Sequence, residues 1–334
     1  MEFEFDFPVF MIKSGSLVDA VHRFGKKHAR IIRALGDLAV LLSLFGSLLA
    51  IAFLVRGSVT VVKGGPAQVS ILIPGVKMPG SNFKLPFFEG IVVIFLLALF
   101  HEGMHALMAS AQGVKPKYFA FLLFAVIPAA GVEIDPDDLE KMKRIERARV
   151  FAAGSLGNVI LALLCLALSS PVGAVLQHGV TYDGLLVLNV TNPQMHLPVG
   201  VVITGVNGTD VRDLKGLWDF LEKAKPGDFI MVNTTNGTFS GRLTEIGGKA
   251  RIGVYLRPLV HYRAGWAKAL GFIARVLLLS FQINLGVALI NLLPVKLLDG
   301  GYVLEEIAPG ATKWFTAPLL ALILFNIAGP YLPL

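Results

Sequence analysis

Five long apolar stretches dominate the sequence and constrain the fold more than any other feature. They cover residues 38–55, 87–111, 150–176, 270–293 and 314–334. About 20 predominantly apolar residues are enough to cross a bilayer as one helix. The chain is 54% hydrophobic and only 16% charged, which is too apolar for an ordinary soluble domain. We therefore expect a polytopic α-helical membrane protein with about five spans.

The second stretch contains the sequence His101-Glu102-Gly103-Met104-His105. On a helix, the two histidines lie one turn apart on the same face, close enough to bind one zinc ion, and Glu102 is placed to act as a general base. Such polar residues in a membrane segment are costly unless they have partners or a function. The alternative is a polar patch that pairs with neighbouring helices. We favour a metal site.

Cysteine and charge limit the other classes of function. Cys165 is the single cysteine, so an internal disulfide and a zinc site of the CxxC type are excluded, and metal ligands must be His, Asp or Glu. The net charge of +7 is compatible with nucleic-acid binding. In a membrane protein it more often reflects Lys and Arg on cytoplasmic loops. We therefore expect the lipid bilayer, and no nucleic acid, as a partner.

The distribution of Lys and Arg predicts the orientation in a cell membrane. The basic leader, residues 1–33, places the N-terminus in the cytoplasm, and the basic segment 112–149 fits a cytoplasmic loop. The histidines then lie in the cytoplasmic half of the second span. Within this loop, the aromatic stretch 118–134 is interrupted by Pro128, so we predict a strand pair or re-entrant loop rather than a span. The first residues alternate apolar and acidic side chains, which is typical of an edge strand.

Two further spans carry polar residues that can meet the histidines. Small residues at 152–155 and 157 favour close helix contact in the third span, but packing alone does not explain Asn158. The fourth span leads into a segment in which Pro294 and two glycines break the helix, with Asp299 in the broken region. Counting spans places Asp299 on the same side as the two histidines. We expect these three side chains to lie at a similar depth.

Between the third and fourth spans, the pattern changes to short β-branched runs separated by turns. Asn207-Gly208 and Asn236-Gly237 are hairpin-type turns, and residues 214–224 have helical periodicity. This pattern predicts a small α+β module that faces the outside. The predicted domains are therefore a leader at 1–33, a first membrane part at 34–177, the module at 178–262 and a second membrane part at 263–334.

These motifs together resemble the site-2 protease family of intramembrane zinc metalloproteases. The resemblance consists of the HExxH motif, Gly154-x-x-x-Asn158 in the next span, and Asn291-x-x-Pro294-x-x-x-Leu298-Asp299-Gly300 in a later one. It covers roughly residues 87–310 and includes a PDZ-like module in the same place. Two departures are Ser155, which stands where a proline is frequent, and Lys296, a charged residue; we expect neither to touch the ligand set.

The resemblance implies an enzyme, a zinc metalloendopeptidase, with one catalytic zinc ion. His101, His105 and Asp299 would be the ligands, Glu102 the base, and Asn158 a hydrogen-bond donor to the oxyanion or the substrate backbone. Gly154 and Asn291 would have a substrate, oxyanion or structural role; for Asn291 a helix cap is an equal alternative. The substrate would be a transmembrane protein. The extracytoplasmic PDZ-like module would bind a peptide or chain end, with a carboxylate-binding loop near residues 182–185. The alternative is a structural β-module that only occludes the site.

Two alternatives stay open at this point. The first is a membrane zinc protein without proteolytic activity, such as a transporter or a PDZ scaffold with an inactive site. A transporter would be expected to show broken helices at repeated positions, and the sequence has no internal repeat. The second concerns the metal, because two histidines and a carboxylate suit zinc without excluding iron or cobalt.

Overall fold

The computed structural model describes residues 2–6, 9–65, 68–69, 71–76, 84–124 and 127–331. The chain forms two compact units, Met1–Pro171 with Phe272–Leu334, and Val172–Gly271. The α-helices of the described residues are α1 (Gly15–Lys27), α2 (Ala29–Val62), α3 (Phe87–Ala111), α4 (Pro136–Glu140), α5 (Arg144–Leu176), α6 (Leu214–Leu221), α7 (Gly265–Asn291), α8 (Asp299–Ile307) and α9 (Thr312–Ala328).

Four of these helices are long and apolar enough to cross a membrane. They are α2, α3, α5 and α7, which correspond to the first four predicted spans, although α7 ends at Asn291, two residues before the predicted end. A continuous helix satisfies its own backbone hydrogen bonds, as a segment in lipid requires. The fifth predicted span corresponds to α9, an apolar helix of only 17 residues. At 1.5 Å per residue this helix is about 26 Å long, somewhat short of a hydrocarbon core of about 30 Å. Its membrane crossing stays a prediction, and residues 332–334 lie outside the described residues.

The first unit also contains a four-stranded antiparallel sheet in the order β1 (Glu2–Asp6), β2 (Val9–Ser14), β3 (Tyr118–Phe124) and β4 (Ile127–Glu133). The strand pair predicted for 118–134 is present as β3 and β4, which pair from Tyr118 with Glu133 to Phe124 with Ile127. The predicted edge strand at the start of the chain is the outer strand β1. Pro128 lies in the other outer strand, β4, where a missing N–H group is tolerated.

The second unit is an α+β module. Its strands are β5 (Val180–Val190), β6 (Val202–Val206), β7 (Thr209–Asp210), β8 (Phe229–Thr234), β9 (Gly237–Arg242), β10 (Thr244–Ile246), β11 (Lys249–Arg251) and β12 (Val254–Tyr262). The main sheet has the order β12-β5-β6-β8-β9, β7 pairs with β6, and β10 pairs with β11. Asn207 and Gly208 connect β6 to β7 with positive φ angles of 50° and 78°, as the predicted hairpin turn requires.

A continuous apolar core holds the second unit together. Helix α6 contributes Leu217 and Leu221, and the strands contribute residues such as Leu185, Ile203 and Val232, all of which are nearly inaccessible to solvent. The helix begins at Leu214 because the Asp213 carboxylate caps it by accepting a hydrogen bond from the Gly216 N–H at 2.7 Å.

One prediction for this unit is wrong. Residues 182–185 were expected to form a carboxylate-binding loop, but they lie inside β5. Leu185 is paired with Pro258 of β12 on one side and with Ile203 of β6 on the other. Tyr182 and Gly184 also pair with β12, at Val260 and Leu259, so this segment is strand rather than loop. The sequence signal was misleading because Gly184 resembles a loop residue, whereas here it lies at a close approach to the Ile203 carbonyl group.

Candidate metal centre

Helix α3 presents two histidines on one face. His101 and His105 are separated by one turn, and their Nε2 atoms lie 3.2 Å apart. Both side chains are largely buried, with 13% and 14% of their surface exposed. The spacing predicted from the sequence therefore produces a converging pair of ring nitrogens.

Helix α5 passes close to these two rings because it has glycine where it crosses them. A Cβ atom at Gly154 would lie 2.6 Å from His101 Cε1 and would also overlap the His105 ring. A Cβ atom at Gly157 would lie 2.6 Å from Met104 Cγ and 2.8 Å from the Phe100 carbonyl oxygen. The small residues predicted to permit close helix contact thus lie at the contact between α3 and α5.

Asp299 approaches from the third side, at the first residue of α8. The chain turns back after α7, and the second and third residues of α8 are glycines that lie directly against the backbone of this turn. A Cβ atom at Gly300 would overlap the Leu292 carbonyl group, and one at Gly301 would overlap that of Val295. This contact leaves room for no larger residue and fixes the start of α8. The Asp299 carboxylate then lies 3.5 Å from His101 Nε2 through Oδ2 and 3.6 Å from His105 Nε2 through Oδ1.

The three side chains fit a zinc ion. One ligand atom from each of His101, His105 and Asp299 lies within 4.8 Å of the other two. In a tetrahedral site with bonds of about 2.0–2.1 Å, neighbouring ligand atoms are about 3.3–3.4 Å apart. The two Nε2 atoms are 3.2 Å apart, close to this value, and the Asp299 carboxylate faces them with a different oxygen toward each ring, Oδ2 at 3.5 Å from His101 and Oδ1 at 3.6 Å from His105. Three protein ligands leave a fourth position open, as in catalytic zinc sites.

The hydrogen bonds of the imidazole rings also favour metal binding at Nε2. His105 Nδ1 lies 2.7 Å from the Val150 carbonyl oxygen, to which it must donate a hydrogen, so its Nε2 keeps a free lone pair. His101 Nδ1 lies 3.2 Å from the terminal amide of Asn158, a fully buried residue whose Oδ1 has no hydrogen-bond partner among the described residues. Amide oxygen and nitrogen are assigned from such contacts. With the two exchanged, Oδ1 accepts from Nδ1–H and the Nε2 of His101 is free as well.

The Glu102 carboxylate points to the sheet of the first unit. Its Oε2 accepts a hydrogen bond from the Val132 backbone N–H of β4 at 3.1 Å. Glu102 is the neighbour of the candidate ligand His101 on α3, and its carboxylate contacts the outer strand β4.

Asn291, the last of the predicted residues, is the half-buried C-terminal residue of α7. The prediction that Ser155 does not touch the ligand set is wrong, because its hydroxyl group donates a hydrogen bond to Asp299 Oδ2 at 3.0 Å.

The sequence model of peptidase family M50 matches residues 89–322, which is well over half of the chain. The chain belongs to peptidase family M50. The match includes all three candidate metal ligands and the whole of the α+β unit. Family membership and the four apolar helices make the chain a membrane protein of a protease family, as the sequence predicted.

Two curated relatives are similar to this M50 protein over part of their length. The uncharacterized protein MJ0971 of Methanocaldococcus jannaschii is 24% identical over 223 residues, which cover 66% of this chain and 57% of the relative. A membrane-bound transcription factor site-2 protease homolog of Arabidopsis thaliana is 28% identical over 142 residues, which cover 41% of this chain and 27% of the relative. The chain thus spans less than two thirds of the length of either relative.

One solved structure is similar to part of the chain. It is the PDZ domain of the SdrC-like protein from Listeria monocytogenes, which is 27% identical and matches over 23% of this chain and 90% of that domain, with a TM-score of 0.21.

Proposed function

We propose that this M50 protein is a zinc-dependent endopeptidase that cleaves transmembrane segments of membrane-anchored proteins. The observation that carries the proposal is the convergence of His101, His105 and Asp299 on one point within a unit built from apolar helices, with Glu102 beside them. Two histidines, one carboxylate and an adjacent glutamate are the residues that a hydrolytic zinc site requires.

Each residue of the centre has a distinct role in this proposal. A zinc ion held by the three ligands would supply Lewis-acid activation of the peptide carbonyl group and of water. Glu102 takes the proton of the attacking water and passes it to the leaving amine. Asn158 holds the His101 ring through its amide oxygen, and its NH2 group then donates to the oxygen of the scissile carbonyl group as charge develops there. Gly154 keeps α5 out of the space that both imidazole rings occupy.

The substrate would bind as an added strand on β4. The Val132 N–H group points away from β3 toward Glu102, so alternate residues of β4, including Ala130 and Pro128, also direct their backbone groups to this open edge. A helical substrate exposes no free backbone groups, whereas an unwound segment can pair with such an edge. Pairing here would place the substrate next to Glu102.

The substitution Ala130→Pro tests this binding mode. It removes one N–H group from the open edge and leaves the ladder between β3 and β4 intact, because Ala130 directs its N–H away from β3. We expect a loss of cleavage with unchanged zinc content and unchanged thermal stability. Ala129→Thr, on the neighbouring residue, is the control for local disturbance. Full cleavage by the Ala130→Pro variant would rule out strand addition at this edge.

The α+β unit is proposed to bind a peptide or chain end beside β12, rather than at residues 182–185. Strand β12 is the outer strand of its sheet, and α6 lies next to its start, because the Arg251 guanidinium group lies 4.5 Å from the centre of the Trp218 ring. Gly253 adopts a φ of 74°, and its carbonyl group is held by the Thr191 and Asn192 N–H groups. A fixed glycine turn leading into an open strand beside a helix is a suitable site for strand addition.

Equal binding of peptides with a free and an amidated C-terminus would argue against recognition of a chain end.

The proposed orientation has the N-terminus and the metal centre on the cytoplasmic side and the α+β unit outside. The clusters of Lys and Arg in residues 23–33 and 112–149 support it. Because Cys165 is buried and is the single cysteine, a Cys165→Ala background permits labelling at introduced cysteines. A membrane-impermeant maleimide added outside intact cells should label Lys249→Cys and spare Lys141→Cys. The reverse pattern would overturn the orientation.

Cleavage of a tagged single-span substrate in detergent tests the proposed activity. Glu102→Gln should keep zinc and lose cleavage, since it preserves the size of the side chain and removes the base. Equal cleavage by both proteins would show that Glu102 is not the base. Stoichiometric zinc without cleavage of any transmembrane substrate would favour a zinc protein without proteolytic activity.

A further inference from the structure

Helices α5 and α8 meet along three contacts that end at the metal centre. Arg147 Nε and Nη2 donate to the two oxygens of Glu306, each at 2.7 Å. One turn closer to the centre, the rings of Phe151 and Tyr302 stack, with centroids 5.0 Å apart. One turn further, the Ser155 hydroxyl group donates to Asp299 Oδ2 at 3.0 Å.

The spacing of these contacts shows that they form one seam. On α5 the residues follow at intervals of four, and on α8 they run in the opposite direction at intervals of four and three, so each set lies on one helix face. Val303 of α8 packs in the same apolar cluster as Ala148 and Ala152 of α5. The seam therefore fixes the position of α8, and Ser155 is its contact with the metal-ligating carboxylate.

We propose that Ser155 is a positioning residue for the third metal ligand, a role that rests on the proposed metal site. Asp299 is the first residue of α8, so its side chain lies at a helix end and its carboxylate group can rotate about the Cβ–Cγ bond. The hydroxyl group of Ser155, itself 1% exposed, fixes this rotation with one oxygen toward His101 and the other toward His105.

The inference predicts a measurable change in metal affinity. Outer hydrogen bonds to metal ligands typically contribute 10- to 100-fold to metal affinity. Ser155→Ala should therefore weaken zinc binding by roughly 10- to 100-fold. Ser155→Thr, which keeps the hydroxyl group, should restore much of the affinity. In the cobalt-substituted protein, the visible absorption spectrum of Ser155→Ala should change, because the orientation of one ligand is no longer fixed.

The experiment is a zinc titration against a competing chelator with the full chain in detergent. Ser110→Ala is the matched control, because Ser110 is also fully buried and its hydroxyl group has no partner among the described residues. Thermal unfolding of the metal-free proteins shows whether each variant is folded. Ser155→Ala with wild-type affinity and an unchanged cobalt spectrum would overturn the inference, as would an equal loss of affinity in Ser155→Thr. Failure of the wild type to bind zinc stoichiometrically would instead overturn the proposed metal site.

Discussion

The helices of the first unit and the core of the second unit are stabilised in different ways. In the first unit, the helix contacts that define the metal centre depend on single glycines and single hydrogen bonds, such as Gly154 against two imidazole rings and Ser155 on Asp299. In the second unit, 15 buried apolar residues form one cluster.

The difference follows from the solvent of each unit. Between helices in lipid the hydrophobic effect contributes little, because lipid tails are as apolar as leucine, so close approach and polar contacts determine the geometry. In water, burial of apolar surface contributes in proportion to its area and is spread over many side chains. Adding or removing a single atom in a side chain should therefore affect function in the first unit. In the second unit, the loss of stability should grow with the side-chain volume that is removed.

The largest effect is expected for Gly154→Ala. The added methyl group would overlap both imidazole rings, so the pair of Nε2 atoms cannot keep its geometry. We expect zinc binding to fall by more than the roughly 10- to 100-fold typical of changes around metal ligands. Zinc content after dialysis measures the loss. Gly173→Ala in the same helix is the control, because a Cβ atom there has open space. If the Gly154→Ala protein keeps stoichiometric zinc, the missing Cβ atom at position 154 does not determine the geometry of the two histidine Nε2 atoms.

Ile203→Ala should lower the stability of the second unit, without a local effect of the kind expected for Gly154→Ala. Ile203 is fully buried in the apolar core, and replacing a buried isoleucine by alanine costs about 2–5 kcal/mol. Hydrogen exchange of the β6 and β8 amides in the full chain measures the loss of stability. Val199→Ala, at an exposed position in the same unit, should change it by less than about 0.5 kcal/mol. An equal loss of stability in the Ile203→Ala and Val199→Ala variants would contradict the expectation that the stability of this core depends on buried volume.

Asn326→Ala should have a smaller effect in the first unit. The Asn326 amide of α9 donates to Ser58 Oγ at 2.8 Å and to the Leu54 carbonyl oxygen at 3.1 Å, both on α2. Polar contacts between membrane helices contribute about 0.6 kcal/mol on average and up to about 1.7 kcal/mol. Detergent-induced unfolding should show a loss within this range, and Leu324→Ala, at an exposed position of α9, is the control. A loss equal to that of Ile203→Ala would remove the distinction between the two units.

The sequence predicted those parts of the fold and site that depend on local spacing. The i, i+4 pair of histidines belongs to one helix, and the strand pair β3–β4 is a local hairpin, so both could be derived from neighbouring residues. The Ser155–Asp299 contact joins residues 144 positions apart and depends on how α5 and α8 pack. The same applies to the Val132–Glu102 hydrogen bond and to the loop misplaced at residues 182–185, because sheet order decides which backbone groups are free.

The smallest effect is expected for the exposed ion pair between Asp19 of α1 and Lys115, whose charged atoms are 2.7 Å apart. The hydrogen bond and the charge of Lys115 hold the pKa of the Asp19 carboxyl group below its usual value. A lowered carboxyl pKa stabilises the fold above the unfolded-state pKa of about 3.9, and this contribution is lost as the pH falls through the lowered value. Lys115→Met should therefore raise the pKa of Asp19 and flatten the acid side of the stability curve, as carboxyl NMR titration and unfolding between about pH 2 and 5 can measure.

Because both side chains are about half exposed, solvent screening keeps the contribution of this ion pair to stability small. An effect comparable to that of Asn326→Ala would show that polar contacts in the first unit are equally important inside and outside the membrane.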